Sequence, residues 1–220
     1  MTLQPVLTED GSITFFSPEL NEHYHSVHGA VQESMHIFIR EGYDQIRKFP
    51  ARILEAGFGT GLNAFLTFLA SEKEGKFIHY SAIEKFPLED RLVRLLNYPE
   101  KTDPAKADIF QAIHESPWGM DIRISEYFTL SKMKADLCEV QLQEGFYDLV
   151  YFDAFSPAVQ PELWTEEIFR TLYQSMKAGG CLVTYSVKGS VTRALKAAGF
   201  DVEKLPGPPG KRQITRAIKK

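Results

Sequence analysis

Asp153 closes an apolar run, Tyr147-Asp148-Leu149-Val150-Tyr151-Phe152, and is followed by Ala154-Phe155-Ser156-Pro157. The run predicts a buried central strand, and the carboxyl end of such a strand is where doubly wound sheets hold their ligands. A carboxylate there, together with a backbone carbonyl of the following loop, can accept hydrogen bonds from an amine and aim its lone pair at an electrophile. Phe155 is placed to stack on a flat base. The plainer reading is a proline-containing loop in which Asp153 forms an Asx-turn.

A second constellation precedes it. Ile53-Leu54-Glu55-Ala56-Gly57-Phe58-Gly59-Thr60-Gly61-Leu62 reads as a strand, an acid, a glycine-rich turn and a helix start. Glycines at 57, 59 and 61 permit positive φ and bring backbone close to a ligand, and the first turn of the helix offers unpaired amides. Dinucleotide enzymes use a similar turn, but the third glycine of their fingerprint is missing and a carboxylate at 55 is ill placed beside a pyrophosphate. Glu55 instead suits a cofactor with a cationic amino group, namely S-adenosylmethionine. Glu84 ends the next strand and can accept both ribose hydroxyls, its alternative being a solvent-facing strand end. Asp136 can reach an adenine amino group or cap a helix. With Asp153-Ala-Phe-Ser-Pro157 arranged like the Asp/Asn-Pro-Pro-aromatic loops of amino-group methyltransferases, these residues point to methyl transfer from a sulfonium to an amine.

The elements that position them alternate in strand and helix, as in a mostly parallel sheet covered on both faces. Strands are expected at 52–56, 77–84, 122–128, 147–153 and 181–186, and helices at 62–72, 88–97, 104–114, 137–143, 161–176 and 189–198. A closing pair, 200–205 and 213–218, flanks Pro206-Gly-Pro-Pro-Gly210. The fold class is therefore α/β, Rossmann-like, a seven-strand methyltransferase sheet with an antiparallel final strand. Before it, residues 3–16 predict a peripheral β-hairpin around Asp10-Gly11. Val31, Met35, Phe38, Ile39, Tyr43 and Ile46 predict one amphipathic helix, interrupted near Gly42. Residues 1–50 would pack on a methyltransferase domain formed by 51–220.

Composition sets the outer limits. The chain has 220 residues, 44% hydrophobic and 25% charged, which suits one compact core. No apolar stretch is long enough to span a bilayer and the first ten residues do not resemble a signal peptide, so a cytoplasmic location is expected. Cys138 and Cys181 are too few for a disulfide framework and read as buried, reduced thiols. The net charge is −4, yet from Lys188 onward nine Lys/Arg face Asp201 and Glu203, a balance of +7 against −11 for the rest. That basic end is either solvated surface or a phosphate-contacting face.

Taken together, Phe16-Ser17-Pro18, Gly29-Ala-Val-Gln-Glu-Ser34, Glu55-Ala-Gly-Phe-Gly-Thr-Gly-Leu-Asn63, Glu84-Lys-Phe-Pro-Leu88, Asp153-Ala-Phe-Ser-Pro157, Pro161-Glu-Leu-Trp164 and Gly210-Lys-Arg212 resemble the methyltransferase domain of MnmC-type tRNA modification proteins. The resemblance implies methylation of the 5-aminomethyl group of a wobble uridine in tRNA, with S-adenosylmethionine as cofactor. It implies that Asp153 lies beside the transferred methyl, and Phe155, from its place in the same loop, is taken with it as a candidate catalytic residue. It also implies a cofactor site of Glu55, Gly57, Gly59, Glu84 and Asp136, to which Gln32, Thr60, Gly61, Asn63, Lys85, Leu137 and Asp153 itself are added. Lys188, Lys211 and Arg212 are the candidate tRNA contacts. The long relatives fuse this domain to an FAD-dependent oxidase, for which 220 residues leave no room, so a stand-alone form without FAD is expected. The histidine-rich Glu22-His23-Tyr24-His25-Ser26-Val27-His28 resembles the short members, and no metal site is expected there. A methyltransferase acting on a small amine, an aminopropyltransferase and a non-catalytic binding module remain the alternatives.

Overall fold

The computed structural model describes residues 2–220. The chain opens with β1 (Gln4–Leu7), β2 (Ile13–Ser17) and β3 (Glu22–His23), which form a small antiparallel sheet in that order. The expected hairpin is therefore present, but reading it as peripheral is corrected. Phe15 is fully buried in the main core, and the chain leaving β3 runs over the ligand-binding end of the larger sheet. The helix expected over 31–46 with an interruption near Gly42 runs without a break through α1 (Ala30–Ser34) and a π-helical stretch Met35–Arg40, then stops at the expected place before a 3-10 turn Tyr43–Gln45.

Beyond it the chain builds β4 (Ala51–Ala56), α2 (Leu62–Glu74), β5 (Ile78–Glu84), α3 (Asp90–Val93), α4 (Tyr98–Lys101) and α5 (Ala107–Glu115). There follow β6 (Asp121–Arg123), β7 (Phe128–Lys134), β8 (Tyr147–Phe152), α6 (Glu166–Ser175), β9 (Met176–Thr184), α7 (Gly189–Ala197), β10 (Asp201–Pro206) and β11 (Gln213–Ile218). The sheet has eight strands in the order β10-β11-β9-β8-β4-β5-β7-β6. Strands β9, β8, β4, β5 and β7 are parallel, and β11 inserts antiparallel beside β9. This is the expected Rossmann-like sheet with one added edge strand, β6, antiparallel to β7.

Two apolar layers cover the faces. One joins α2, α5 and the N-terminal segment through Phe38, Phe65, Phe68 and Phe110, and the other joins α6 and α7 through Phe169, Leu172, Val191 and Leu195. Burial on both faces is why β4 and β8 read as largely apolar runs, whereas β5 alternates. Four expected elements differ. The strand expected at 122–128 is split: residues 122 and 123 end β6, residues 124–127 form the turn, and Phe128 opens β7. Phe128, Leu130 and Lys132 all point into the core, and the charge of Lys132 hid the alternation. Lys132 is satisfied by donating to the His114 carbonyl at 2.6 Å and by lying 4.8 Å from the Trp118 ring, and its burial pushes its ammonium down to about 8. Residues 137–143 form no helix, because Asp136 accepts from the Cys138 amide at 2.9 Å and closes a turn instead. The helix expected at 88–97 shrinks to α3. Within the stretch 161–176, α6 starts only at Glu166, where Thr165 accepts from the Ile168 amide, a cap worth about 1 kcal/mol. Cys138 is exposed rather than buried, and Cys181 is a partly buried free thiol.

Among the described residues, no helix is long and apolar enough to cross a membrane.

Candidate active site

Strand β4 leads to β5 on one side, while β8 returns to lie on its other side. The two chains diverge at this switch point, and a crevice forms outside the carboxyl ends of the strands. A cavity of about 620 Å³ lies there. Its floor comes from the turn after β4, Glu84 at the end of β5, Asp136 after β7 and Asp153 after β8.

The glycines of the turn serve different needs. Gly57, at φ 95°, would place a Cβ 2.7 Å from the Asp153 carbonyl oxygen, so its bareness lets two backbones pass and does not merely leave ligand space. Gly61, at φ 71°, starts α2 and would drive a Cβ to 2.7 Å from His114 Nε2. At Gly59 a Cβ would meet only the Tyr24 ring, at 3.4 Å. Gly59 is thus the position where a missing side chain opens the cavity.

Glu84 is fixed by its neighbours: Oε2 accepts from the Gly59 amide at 3.0 Å and Oε1 from the Phe86 amide at 2.8 Å. Each oxygen keeps a lone pair for a ligand hydroxyl. Asp136 is held by Lys85 Nζ at 2.6 Å, a bond that keeps its carboxyl below the ordinary aspartate range. Leu137 and Thr60 also line the cavity, and Tyr98 donates to Thr60 Oγ1 at 3.1 Å. A floor with an open glycine and two immobilised carboxylates on successive strand ends fits a ribose and an amino-bearing base.

Glu55 behaves differently from expectation. It is fully buried and does not line the cavity. Asn63, on the first turn of α2, donates from Nδ2 to Glu55 Oε1 at 3.0 Å and to Asp153 Oδ2 at 2.8 Å. Burial, reinforced by the charges of Asp153 and Glu84, holds the Glu55 carboxyl well above the usual range against the opposing Asn63 bond. Burial also raises Asp153, to about 7. The Asn63 bond and Lys211 pull it down, and Glu33 pushes it up.

The roof was not legible in the sequence. Glu22 accepts from Ser156 through both its amide, at 3.2 Å, and its hydroxyl, at 2.9 Å. The Tyr24 ring meets Phe155 edge-to-face at 4.9 Å. The Ser26 amide donates to Glu33 Oε2 at 2.8 Å, and Glu33 pairs with Lys211, whose Nζ lies 4.4 Å from the Tyr185 ring. Lys211, expected on a tRNA-facing surface, is therefore a paired cation in the cavity wall. The loop carbonyls expected to receive an amine are already engaged. Ala154 accepts from the Tyr185 hydroxyl at 2.9 Å and Phe155 from Trp164 Nε1 at 2.8 Å.

Gln32 does not line the cavity: it is exposed and its amide donates to Asp10 at 3.0 Å, whereas its neighbour Glu33 takes that place. Lys188 and Arg212 are exposed and lie outside the cavity. The histidines of the 22–28 segment disperse. His23 packs on Phe16, His25 contacts Thr14 Oγ1 at 3.0 Å with burial pushing it down to about 4, and His28 pairs with Glu9. Tyr24, Glu33 and Tyr185 give no signal by spacing. Only the acidic and glycine motifs beside them marked the neighbourhood.

Comparison with known proteins agrees with this geometry. Residues 106–220 match the family described as S-adenosyl-L-methionine-dependent methyltransferase. The bifunctional protein MnmC of tRNA 5-methylaminomethyl-2-thiouridine biosynthesis is 31% identical in Cupriavidus metallidurans, over 97% of this chain and 33% of that protein. In Leptospira interrogans it is 29% identical, over 95% and 34%. The chain thus spans about a third of the length of these curated relatives. The crystal structure of MNMC2 from Aquifex aeolicus superposes with a TM-score of 0.83 at 28% identity, covering all of this chain and 71% of that one. The strand-end carboxylates, the open glycine turn and the match over the C-terminal half together place the chain in the family of S-adenosyl-L-methionine-dependent methyltransferases, with S-adenosylmethionine as its cofactor.

Proposed function

We propose that this enzyme methylates a primary amine carried by a nucleic acid base, the 5-aminomethyl group of the wobble uridine of tRNA, giving the methylaminomethyl base. The observation that carries the reading is Asp153: a carboxylate anchored on one oxygen by Asn63, bordering the same cavity as the paired rings of Phe155 and Tyr24. The names of the relatives support tRNA as the substrate.

In this reading Glu84 takes the ribose hydroxyls, Asp136 and Leu137 take the adenine, and Gly57, Gly59 and Thr60 shape the passage between them. S-adenosylmethionine supplies an electrophilic methyl group on a sulfonium. Asp153 accepts an N–H of the neutral substrate amine and orients its lone pair, then stabilises the charge that develops on nitrogen as the N–C bond forms and the S–C bond breaks. Phe155 and Tyr24 flank the base. Exposed Lys188 and Arg212 contact phosphates, while Lys211 acts within the wall by lowering Asp153 toward its charged form.

The test is incubation with methyl-labelled cofactor and tRNA from cells lacking the modification, followed by nucleoside analysis. Label in a wobble nucleoside is expected. Label transferred only to free small amines would overturn the substrate assignment.

A further inference from the structure

A primary amide nitrogen has two hydrogens, and Asn63 Nδ2 spends both on carboxyl groups: Glu55 Oε1 at 3.0 Å and Asp153 Oδ2 at 2.8 Å. This sets the amide orientation, since the flipped form would turn its oxygen on the Asp153 carboxylate. The residue is 3% exposed, so the arrangement is held by packing at the start of α2. Glu55 is fully buried and faces no cation; its Oε2 and Asn63 Oδ1 have no partner within hydrogen-bond distance, and the neighbour of Glu55 on its other side is the buried, likewise unpartnered Tyr80 hydroxyl. It touches the cavity only through Asn63.

We propose that Asn63 is a positioning residue for methyl transfer, tying down Oδ2 of Asp153 so that its remaining oxygen is presented to the acceptor amine, with Glu55 acting as the rest behind Asn63 rather than as a cofactor ligand. The inference rests on the reading of Asp153 given above. The physical reason is charge: two ionised carboxylates on one amide in a closed interior would repel each other strongly. Burial settles this by keeping Glu55 protonated, which leaves Asp153 as the member able to ionise. Asn63 then favours the ionised form of Asp153 through a charge-assisted bond. Neither Glu55 nor Asn63 needs to touch the reacting atoms.

Three variants test it: Asn63→Leu, Glu55→Gln and Asp153→Asn. The readouts are calorimetric affinity for S-adenosylhomocysteine, a direct ¹³C NMR titration of the Asp153 carboxyl in cofactor-free protein, and the pH dependence of single-turnover methyl transfer. Asn63→Leu is expected to move the Asp153 titration and the acidic limb of the rate upward by about one pH unit, the effect of one lost hydrogen bond to a charged group. Its rate should fall about 10-fold or more and its cofactor affinity should change less than threefold. Glu55→Gln, which imitates the neutral acid, should leave cofactor affinity within threefold and the rate within about fivefold. A tenfold loss of affinity in Glu55→Gln would make Glu55 a cofactor ligand and sink the proposal. An unmoved Asp153 titration in Asn63→Leu would do the same. If Asn63→Leu does not fold, Asn63→Ala is measured against the same two outcomes. Full activity of Asp153→Asn would instead remove the underlying reading, and this proposal with it, whatever the NMR titration shows.

Discussion

Asp153→Asn should make the cofactor-free protein more stable at neutral pH while abolishing most of its activity. In the folded chain, burial lifts the Asp153 carboxyl from its usual 3.8 to about 7. Well below pH 3.8 the group is protonated in both folded and unfolded chains and contributes no pH dependence. As pH rises from about 4 to 7 the unfolded chain releases this proton first, so the folded chain binds more protons and stability falls. Above 7 the loss is complete. A rise from 3.8 to 7 corresponds to roughly 4 kcal/mol, and allowing for the carboxylate's partial access to solvent the expected loss is about 2–4 kcal/mol. Asn keeps the shape and can still accept from Asn63, but it does not titrate. Urea unfolding of both proteins at pH 4 to 8 should therefore show a stability difference that grows in favour of the variant between pH 4 and 7 and is flat beyond. Methyl transfer at saturating cofactor should fall by an amount equivalent to about 2–4 kcal/mol if the charge is what stabilises the transition state. A pH-independent stability difference would show that Asp153 is not held above its ordinary range. Wild-type single-turnover rates in the variant would show that its charge does no work in the reaction.

Gly57→Ala should lower thermal stability by about 2 kcal/mol or more, because its Cβ meets the Asp153 backbone at positive φ. Gly59→Ala should lose about 1 kcal/mol and show its main defect in calorimetric cofactor affinity; equal melting losses in the two would refute the distinction. Glu84→Gln turns one of two oxygens that each already accept a backbone amide into a donor, so cofactor affinity should drop about 10-fold or more, with a loss of stability of only about 1 kcal/mol from the one lost amide bond. Lys211→Met should raise the pH at which methyl transfer is half-maximal without altering the salt dependence of tRNA binding. Arg212→Glu should weaken tRNA binding and lower its log–log salt slope by about one. Filter binding over a salt series separates the two, and a salt-sensitive defect in Lys211→Met would return that residue to the tRNA-facing surface.

The parallel sheet, its helices and the strand-end acids were legible because each follows from local rules. Two-sided burial produced the apolar runs at β4 and β8, β5 was marked by its alternation and its terminal acid, and a glycine turn between a strand and a helix marked the crevice. Asp153, Glu84 and Asp136 were found from their places in that pattern alone, and all three line one cavity. Errors arose where a long-range partner overruled a local preference. Lys132 sits inward because the His114 carbonyl and the Trp118 ring receive it, and nothing near it in sequence announces either. Gly57 is bare because another strand's backbone passes beside it. Glu55 and Asp153 are 98 positions apart, yet one amide joins them, and which of the two can carry charge depends on how deeply each is buried. The residue types were set by the sequence, but protonation and ion pairing are properties of distance and dielectric. Only the folded chain, bringing Glu33 to Lys211 and Tyr24 to Phe155, decides those.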